Sequence, residues 1–293
     1  MKPPPFRYVA PEHTEEALAA LGDVGDEAKV LAGGQSLIPL LNMRLAAPAV
    51  LVDINRVAGL DGIETTDDGV RVGATVRHSA LEHDGDAVTR LPLLSQALRH
   101  VAHPVIRNRG TVVGSIAHAD PAAELPAVLG VLGGSVEVRS TAGERVVNAE
   151  DLYVGPLESS LEPTELITHA RFPVPEGPWG SAFEELARRH GDYALAGVAA
   201  LVTLDSDGMV ATARASFTGV GPVPVVVGIS AELEGQDPVA LDTDEAVSTA
   251  LQAIEPQSDI HATAEYRRHL SGVLLARALR EAASAAADRG GSV

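Results

Sequence analysis

Cysteine is absent from the 293 residues. Its absence excludes disulfides, thiolate metal sites and iron–sulfur clusters held by this chain. Basic residues are scarce: 22 Lys and Arg stand against 40 Asp and Glu, a formal net charge of −18. A nucleic-acid surface needs clustered cations to neutralise phosphates, so none is expected. No apolar run approaches ~20 residues, the length needed to span a bilayer. The opening MKPPPFRYVAPEHTEEALAAL also lacks the hydrophobic segment of a secretion signal. A cytoplasmic protein without a transmembrane segment is the expectation. Three sequence signatures are missing as well: the G-x-G-x-x-G of a Rossmann site, the G-K-S/T of a P-loop and the G-x-S-x-G nucleophile elbow. His100, His103 and His118 fall near one loop, but no H-x-x-x-H with a partner Glu accompanies them. No metal site is expected.

What is present is a core-forming chain, 45% apolar, with two styles of organisation. Residues 1–175 alternate short strands and helices. HTEEALAALGD reads as a helix with Thr14 as its N-cap, and AKVLAGG and AVLVDIN read as strands ending in turns. DDGVRVGATVRHSALE is a strand that becomes helical near Ser79, LPLLSQALRHVA has helical spacing, and GSVEVRSTAGERVVNAEDL is a hairpin around TAGE. The segment RFPVPEGPWGSAF carries three prolines and two glycines, which marks a connection. Residues 176–288 change style. Two long strands flank DSDG, then DTDEAVSTALQAI and SGVLLARALREAASAAAD read as helices, the first capped by Thr243 or Asp244. Strands followed by helices give a second, small α+β domain, an antiparallel sheet with helices. The tail RGGSV reads as frayed.

Two glycine loops carry the functional signal. In AGGQS, Gly33 and Gly34 allow backbone N–H groups to converge on an anion, and Ser36 adds a hydroxyl donor. In RNRGTVVGSIAHADPAAELPAVL, residues Gly110, Thr111, Gly114 and Ser115 repeat that chemistry. Downstream, Asp120 and Glu124 are carboxylates suited to accept ribose or ribityl hydroxyls. Either loop alone is as readily a plain turn. The pair suits a ligand with a pyrophosphate at its middle. Arg107 and Arg109 read equally as recognition of an acidic group or as braces of the loop.

These strings, with PPFRYVAPEHTEEALAALG, LAGGQSLIPLLNMRLAAPAVLVDINRV, ARRHGDYALAGVAALVTL and HATAEYRRHLSGVLLARAL, resemble the FAD-binding medium subunit of molybdenum hydroxylases. Within that family the likeness is to the carbon monoxide dehydrogenase flavoprotein type, related to the flavin part of xanthine dehydrogenase. The resemblance implies an α+β protein. Residues 1–175 would be a two-part FAD-binding domain of the vanillyl-alcohol-oxidase or MurB-like (PCMH) type, and residues 176–288 a flavoprotein C-terminal domain. It implies that Ala32, Gly33, Gly34, Gln35 and Ser36 hold the pyrophosphate, flanked by Leu31 and Leu37. Thr111, Gly114 and Ser115 would form the second glycine motif, with Asp120 and Glu124 as its downstream acids. Ile167 would meet the flavin through its backbone, and Tyr193 would lie near the isoalloxazine.

Four positions depart from the family pattern. Gln35 stands where His is commoner, Val113 precedes Gly114 where a second glycine is usual, and Glu184 and Glu185 stand where relatives carry a basic residue. A positive φ at Val113 would be strained. The function implied is electron transfer by noncovalent FAD, with no catalytic side chain of its own. The molybdenum cofactor would lie on a large partner and 2Fe–2S clusters on a small one, in a heterotrimer that dimerises. Two other readings stand beside it. One is a flavin-free binding or assembly subunit of the same complex, motivated by Val113 and the lost basic residue. The other is a stand-alone MurB-like flavin reductase.

Overall fold

The computed structural model describes residues 2–290. The chain is α+β throughout. Its first sheet is parallel, with Val50–Asp53 between Arg7–Val9 and Ala28–Leu31. Val50, Leu51 and Val52 are all buried, as a central strand covered on both faces requires. The helix Thr14–Val24 supplies the crossover, burying Ala17, Leu18 and Leu21. A second, five-stranded sheet is antiparallel where its pairings are Gly69–Gly73 with Leu166–Pro173 and Leu166–Pro173 with Ser135–Ser140. The TAGE hairpin forms as expected, joining Ser135–Ser140 to Gly143–Asn148.

The second half is an antiparallel meander of Trp179–Ala187, Ala194–Leu204, Val210–Thr218 and Val225–Gly228. The helix Ala264–Gly290 lies across it, burying Leu274, Leu275, Ala278, Leu279, Ala282, Ala283 and Ala286. Small residues dominate that face because helix and strand nearly touch. A Cβ on Gly180 would stand 2.0 Å from the Ala282 carbonyl. The apolar stripe of the helix is therefore core.

The halves are welded by the helix Glu124–Leu132, which packs on strands Ala194–Leu204 and Val210–Thr218 while belonging to the first core. Trp179, Phe183, Ala199 and Leu201 cross the other way and complete that first core.

Several elements differ from the sequence expectation. RFPVPEGPWGSAF is mostly strand: Arg171–Pro173 finishes one and Trp179–Phe183 begins the next, leaving residues 174–178 irregular. Prolines at strand ends cost no ladder bond, so their number overstated the loop. Thr14 is the first helical residue and His13 occupies the cap position, with no side-chain bond. Thr243 sits at its cap position, but its hydroxyl accepts from Arg280 (2.9 Å) rather than from the helix backbone. The last helix starts at Ala264, before its apolar stripe begins. Its first turns are anchored by polar bonds, from Arg267 to the Leu195 and Gly219 carbonyls and from Arg268 to those of Leu251 and Ile254. Arg289 and Gly290 continue that helix, while the last residues of RGGSV lie outside the described residues.

Candidate functional site

The AGGQS loop leaves the strand Ala28–Leu31 and enters the helix Leu37–Met43. Pro39 falls in that helix's first turn, where amides have no intrahelical partner and a missing N–H is tolerated. The second loop leads into the helix Val112–His118, whose N-cap is Thr111. The Thr111 hydroxyl accepts from the Gly114 amide at 3.2 Å.

The two loops touch, backbone against backbone. A Cβ on Gly33 would stand 2.5 Å from the Arg109 carbonyl oxygen and 2.7 Å from the Gly110 Cα. Only glycine fits there. A polar clasp holds both loops from behind. Arg77 donates to the Arg109 carbonyl and to Asn55 Oδ1, each at 2.6 Å, and Asn55 Nδ2 donates to the Ala32 carbonyl at 2.8 Å. Asp53 fixes Asn55 through its backbone and side-chain N–H groups, and the Tyr8 hydroxyl donates to the other Asp53 oxygen. Burial and the nearby Arg109 guanidinium both lower the Arg77 pKa. The Asp53 carboxylate opposes that shift. Beneath Gly110 lies His78, buried and with its pKa lowered to about 4, chiefly by desolvation. It is a neutral packing ring.

The helix Val112–His118, about 10 Å long at ~1.5 Å per residue, leads from the loop junction to a cavity of about 650 Å³. Asp120, Pro121 and Ala122 line it from the first half, and Arg188, Arg189, Gly191, Asp192 and Tyr193 from the second. Gly219 and Arg267 also line it. Tyr193 is 69% exposed, directly before the strand Ala194–Leu204. The turn that presents it is wedged against the first half. Gly191 has φ +83°, and a Cβ there would lie 2.8 Å from the His103 ring. Partial burial, then Asp120 and Glu124, raise the Tyr193 phenol pKa. The ring stays neutral and available for packing.

The expected site residues thus fall into three places. Residues 31–37 with Thr111, Gly114 and Ser115 make the loop junction. Asp120 and Tyr193 both line the cavity. Ile167 and Glu124 are in neither. Ile167 is a buried residue of the strand Leu166–Pro173, at a register shift against Ser135–Ser140. Glu124 is only 8% exposed and does not line the cavity. Burial, then repulsion from Asp120, pushes its pKa up to about 7. It is therefore not an exposed, fully ionised acceptor at neutral pH.

The departures find local explanations. Val113 is helical and buried, and it is not among the residues of positive φ. Gln35 donates to the Gly33 carbonyl at 3.1 Å, closing its own loop. Glu184 pairs with Arg277 of the last helix at 3.0 Å, whereas Glu185 turns inward. Arg107 is a brace: it pairs with Glu82 at 2.8 Å and donates to the Val101 and Ala102 carbonyls. Among the described residues no group of three metal-ligating side chains occurs. Sequence reasoning overlooked Asn55, Arg77 and His78. The turn signal of Asp53 and Asn55 directly after an apolar strand could have found the first of them.

The glycine junction beside Arg77 and Arg109 could hold an anion, and the exposed Tyr193 ring could pack on a planar group. Comparisons with known proteins agree on the class. Residues 4–175 match the FAD binding domain in molybdopterin dehydrogenase, and residues 181–282 the CO dehydrogenase flavoprotein C-terminal domain. The alpha subunit of the 6-hydroxypseudooxynicotine dehydrogenase complex of Paenarthrobacter nicotinovorans is 43% identical, over 96% of each chain. The carbon monoxide dehydrogenase medium chain of Afipia carboxidovorans is 37% identical, over 96% of this chain and 98% of that one. Among solved structures, a chain of reconstituted CO dehydrogenase from Oligotropha carboxidovorans superposes with a TM-score of 0.91. It is 36% identical, and the match covers 97% of this chain and 99% of that one.

Proposed function

Because the chain belongs to the family of FAD-binding subunits of molybdenum-containing hydroxylases and dehydrogenases, we propose that it is the electron-transfer flavoprotein of such a complex. FAD, held noncovalently, supplies the redox chemistry: it accepts electrons and releases them to an external acceptor. The residues of this chain bind, orient and shield it. The loop junction of residues 32–36 with Thr111, Gly114 and Ser115 takes the pyrophosphate, with Arg77 balancing its charge. Leu31 and Leu37 would flank it, Asp120 would accept a hydroxyl, Ile167 would meet the flavin through its backbone from outside both places, and Tyr193 would pack against the ring. Residues 1–175 form the cofactor-binding domain, and residues 176–288 close the cavity from the other side.

The observation that carries this reading is the contact at Gly33. Two glycine loops from separate parts of the chain are pressed together and clasped by one arginine, which leaves a fixed cradle rather than two independent turns. A chain without cysteine holds no iron–sulfur cluster, so the 2Fe–2S clusters that feed the flavin belong to a small partner and the molybdenum cofactor to a large one. The expected assembly is a dimer of such heterotrimers in the cytoplasm. The relatives' names span a nicotine derivative and carbon monoxide. That spread fits a subunit that never meets the substrate. The test is to load the isolated chain with FAD and add organic substrates without partners. No reduction is expected until the molybdenum-bearing and cluster-bearing subunits are both added; direct reduction by a substrate in the isolated chain would overturn the reading.

A further inference from the structure

Glu124 and Glu185 come from the two halves of the molecule and lie together at their seam. Glu124 opens the wholly buried helix behind the cavity's Asp120 wall, and Glu185 sits on the strand Trp179–Ala187. A short chain of contacts joins them. The Thr218 hydroxyl donates to the Ala123 carbonyl at 2.9 Å, and a Cβ on Gly197 would touch both Thr218 (2.6 Å) and Glu185 Oε2 (3.5 Å). The Glu185 side chain is 3% exposed, and its Oε2 is buried without a hydrogen-bond partner. Its Oε1 lies 4.0 Å from His100 Nδ1. Among the described residues neither carboxyl has an Arg or Lys partner.

The groups that face the pair do not supply a counter-charge. Asp120 repels Glu124 across the cavity wall. His100, packed on Phe183, is kept neutral by its burial and by His190 and Arg99. Tyr193 contributes a neutral phenol. Two carboxylates shut away from water and from cations cannot both ionise, because desolvation and mutual repulsion oppose the second charge.

We propose that Glu124 and Glu185 form a buried acid pair that holds a proton at neutral pH and takes up more when negative charge enters the neighbouring cavity. The inference rests on the reading of that cavity as the flavin's. Two-electron reduction of a flavin places one proton on the ring and leaves a net negative charge there. The pair then binds additional proton from solvent, forming one O–H bond at a carboxylate and breaking no other bond in the protein. Flavin reduction in this subunit is thereby coupled to more than one proton per two electrons between about pH 7 and 9, the range of the raised carboxyl pKa values. Glu124 and Glu185 act through the electrostatics of the cavity, without touching the ring.

Infrared spectroscopy of the flavin-free full chain in D2O tests the pair itself. A protonated-carboxyl C=O band is expected at pH 7, reduced in Glu185→Gln to the part Glu124 contributes and diminished in the parent as pH rises toward 9. Glu185→Met serves the same purpose if the Gln variant does not fold. Redox titration of the FAD-loaded chain tests the coupling. The parent's midpoint potential should fall more steeply with pH, from 7 to 9, than one proton per two electrons requires, and Glu124→Gln should return it to that slope. An absent band, or a slope that Glu124→Gln leaves unchanged, overturns the proposal. Failure of the flavin reading would look different: the band would persist in a chain that takes up no FAD.

Discussion

The loop junction and the Tyr193 cavity, both proposed for one ligand, are built by opposite means. At the junction the backbone is fixed: Gly33 presses on residues 109–111, and Arg77, Asn55 and Asp53 tie the loops from behind. At the cavity an exposed side chain is presented, Tyr193, while the lining Arg189 and Arg267 are paired with Asp192 and Asp259. The difference shows where each kind of change should tell. Alterations at the junction strike the fold and the ligand together, and alterations at the cavity strike the ligand's properties alone.

The largest effect is expected from Gly33→Val. Its side chain would have to displace the backbone of the second loop, an overpacking on the order of 3 kcal/mol. Flavin retention and folding stability should fall together, as urea denaturation and flavin content will show. A variant that keeps both would break the junction as described. Arg77→Met comes next. It removes two bonds from a charged donor, each of roughly 1.5–3 kcal/mol, without adding bulk. FAD affinity should drop at least tenfold by calorimetry, while the second half of the molecule unfolds as before.

The seam between the halves responds to pH, and the sign follows from the raised carboxyl pKa values. Burial and Glu124 push Glu185 up to about 9, so the folded chain binds more protons than the unfolded one above pH 4.5. Stability must therefore decline as pH rises toward 9. His78, His100 and His169, all lowered, act in the opposite sense but only below their ordinary value of 6.5. The window from 7 to 9 thus isolates the acids. Denaturation of the parent there should show a loss on the order of 1–2 kcal/mol that Glu185→Gln largely removes. The smallest effect belongs to Tyr193. Replacement by Ala should weaken FAD binding by about 0.5–1.5 kcal/mol and relieve quenching of flavin fluorescence, whereas Phe should preserve the quenching. An unchanged spectrum in Tyr193→Ala would make the ring structural.

Much of this was legible in the sequence, and the unread part has physical reasons. Apolar runs ending in turn residues marked the strands around the first loop, and small residues at both loops marked the junction. What pattern could not show was contact between segments distant in the chain. Gly33 reads as a ligand contact until its Cβ position is seen to be occupied by the second loop. Arg77 sits in a strand-to-helix turn with no signal of its own, and its role exists only because residues 32, 55 and 109 converge on it. Glu124 reads as a surface acceptor because it follows a loop, but the helix it opens is buried on every side. Arg267 and Arg268 start the last helix through polar anchors, so hydropathy missed its first turns.

On the proposed reading the chain holds one FAD, noncovalently, in the cradle formed by its two glycine loops. The most direct measurement is to incubate the purified chain with FAD, remove the excess, denature the protein and identify the flavin in the supernatant. About one FAD per chain should be released from the parent and almost none from Arg77→Met. Flavin that stays on the denatured chain, FMN in place of FAD, or no flavin retained by the folded parent would contradict the account.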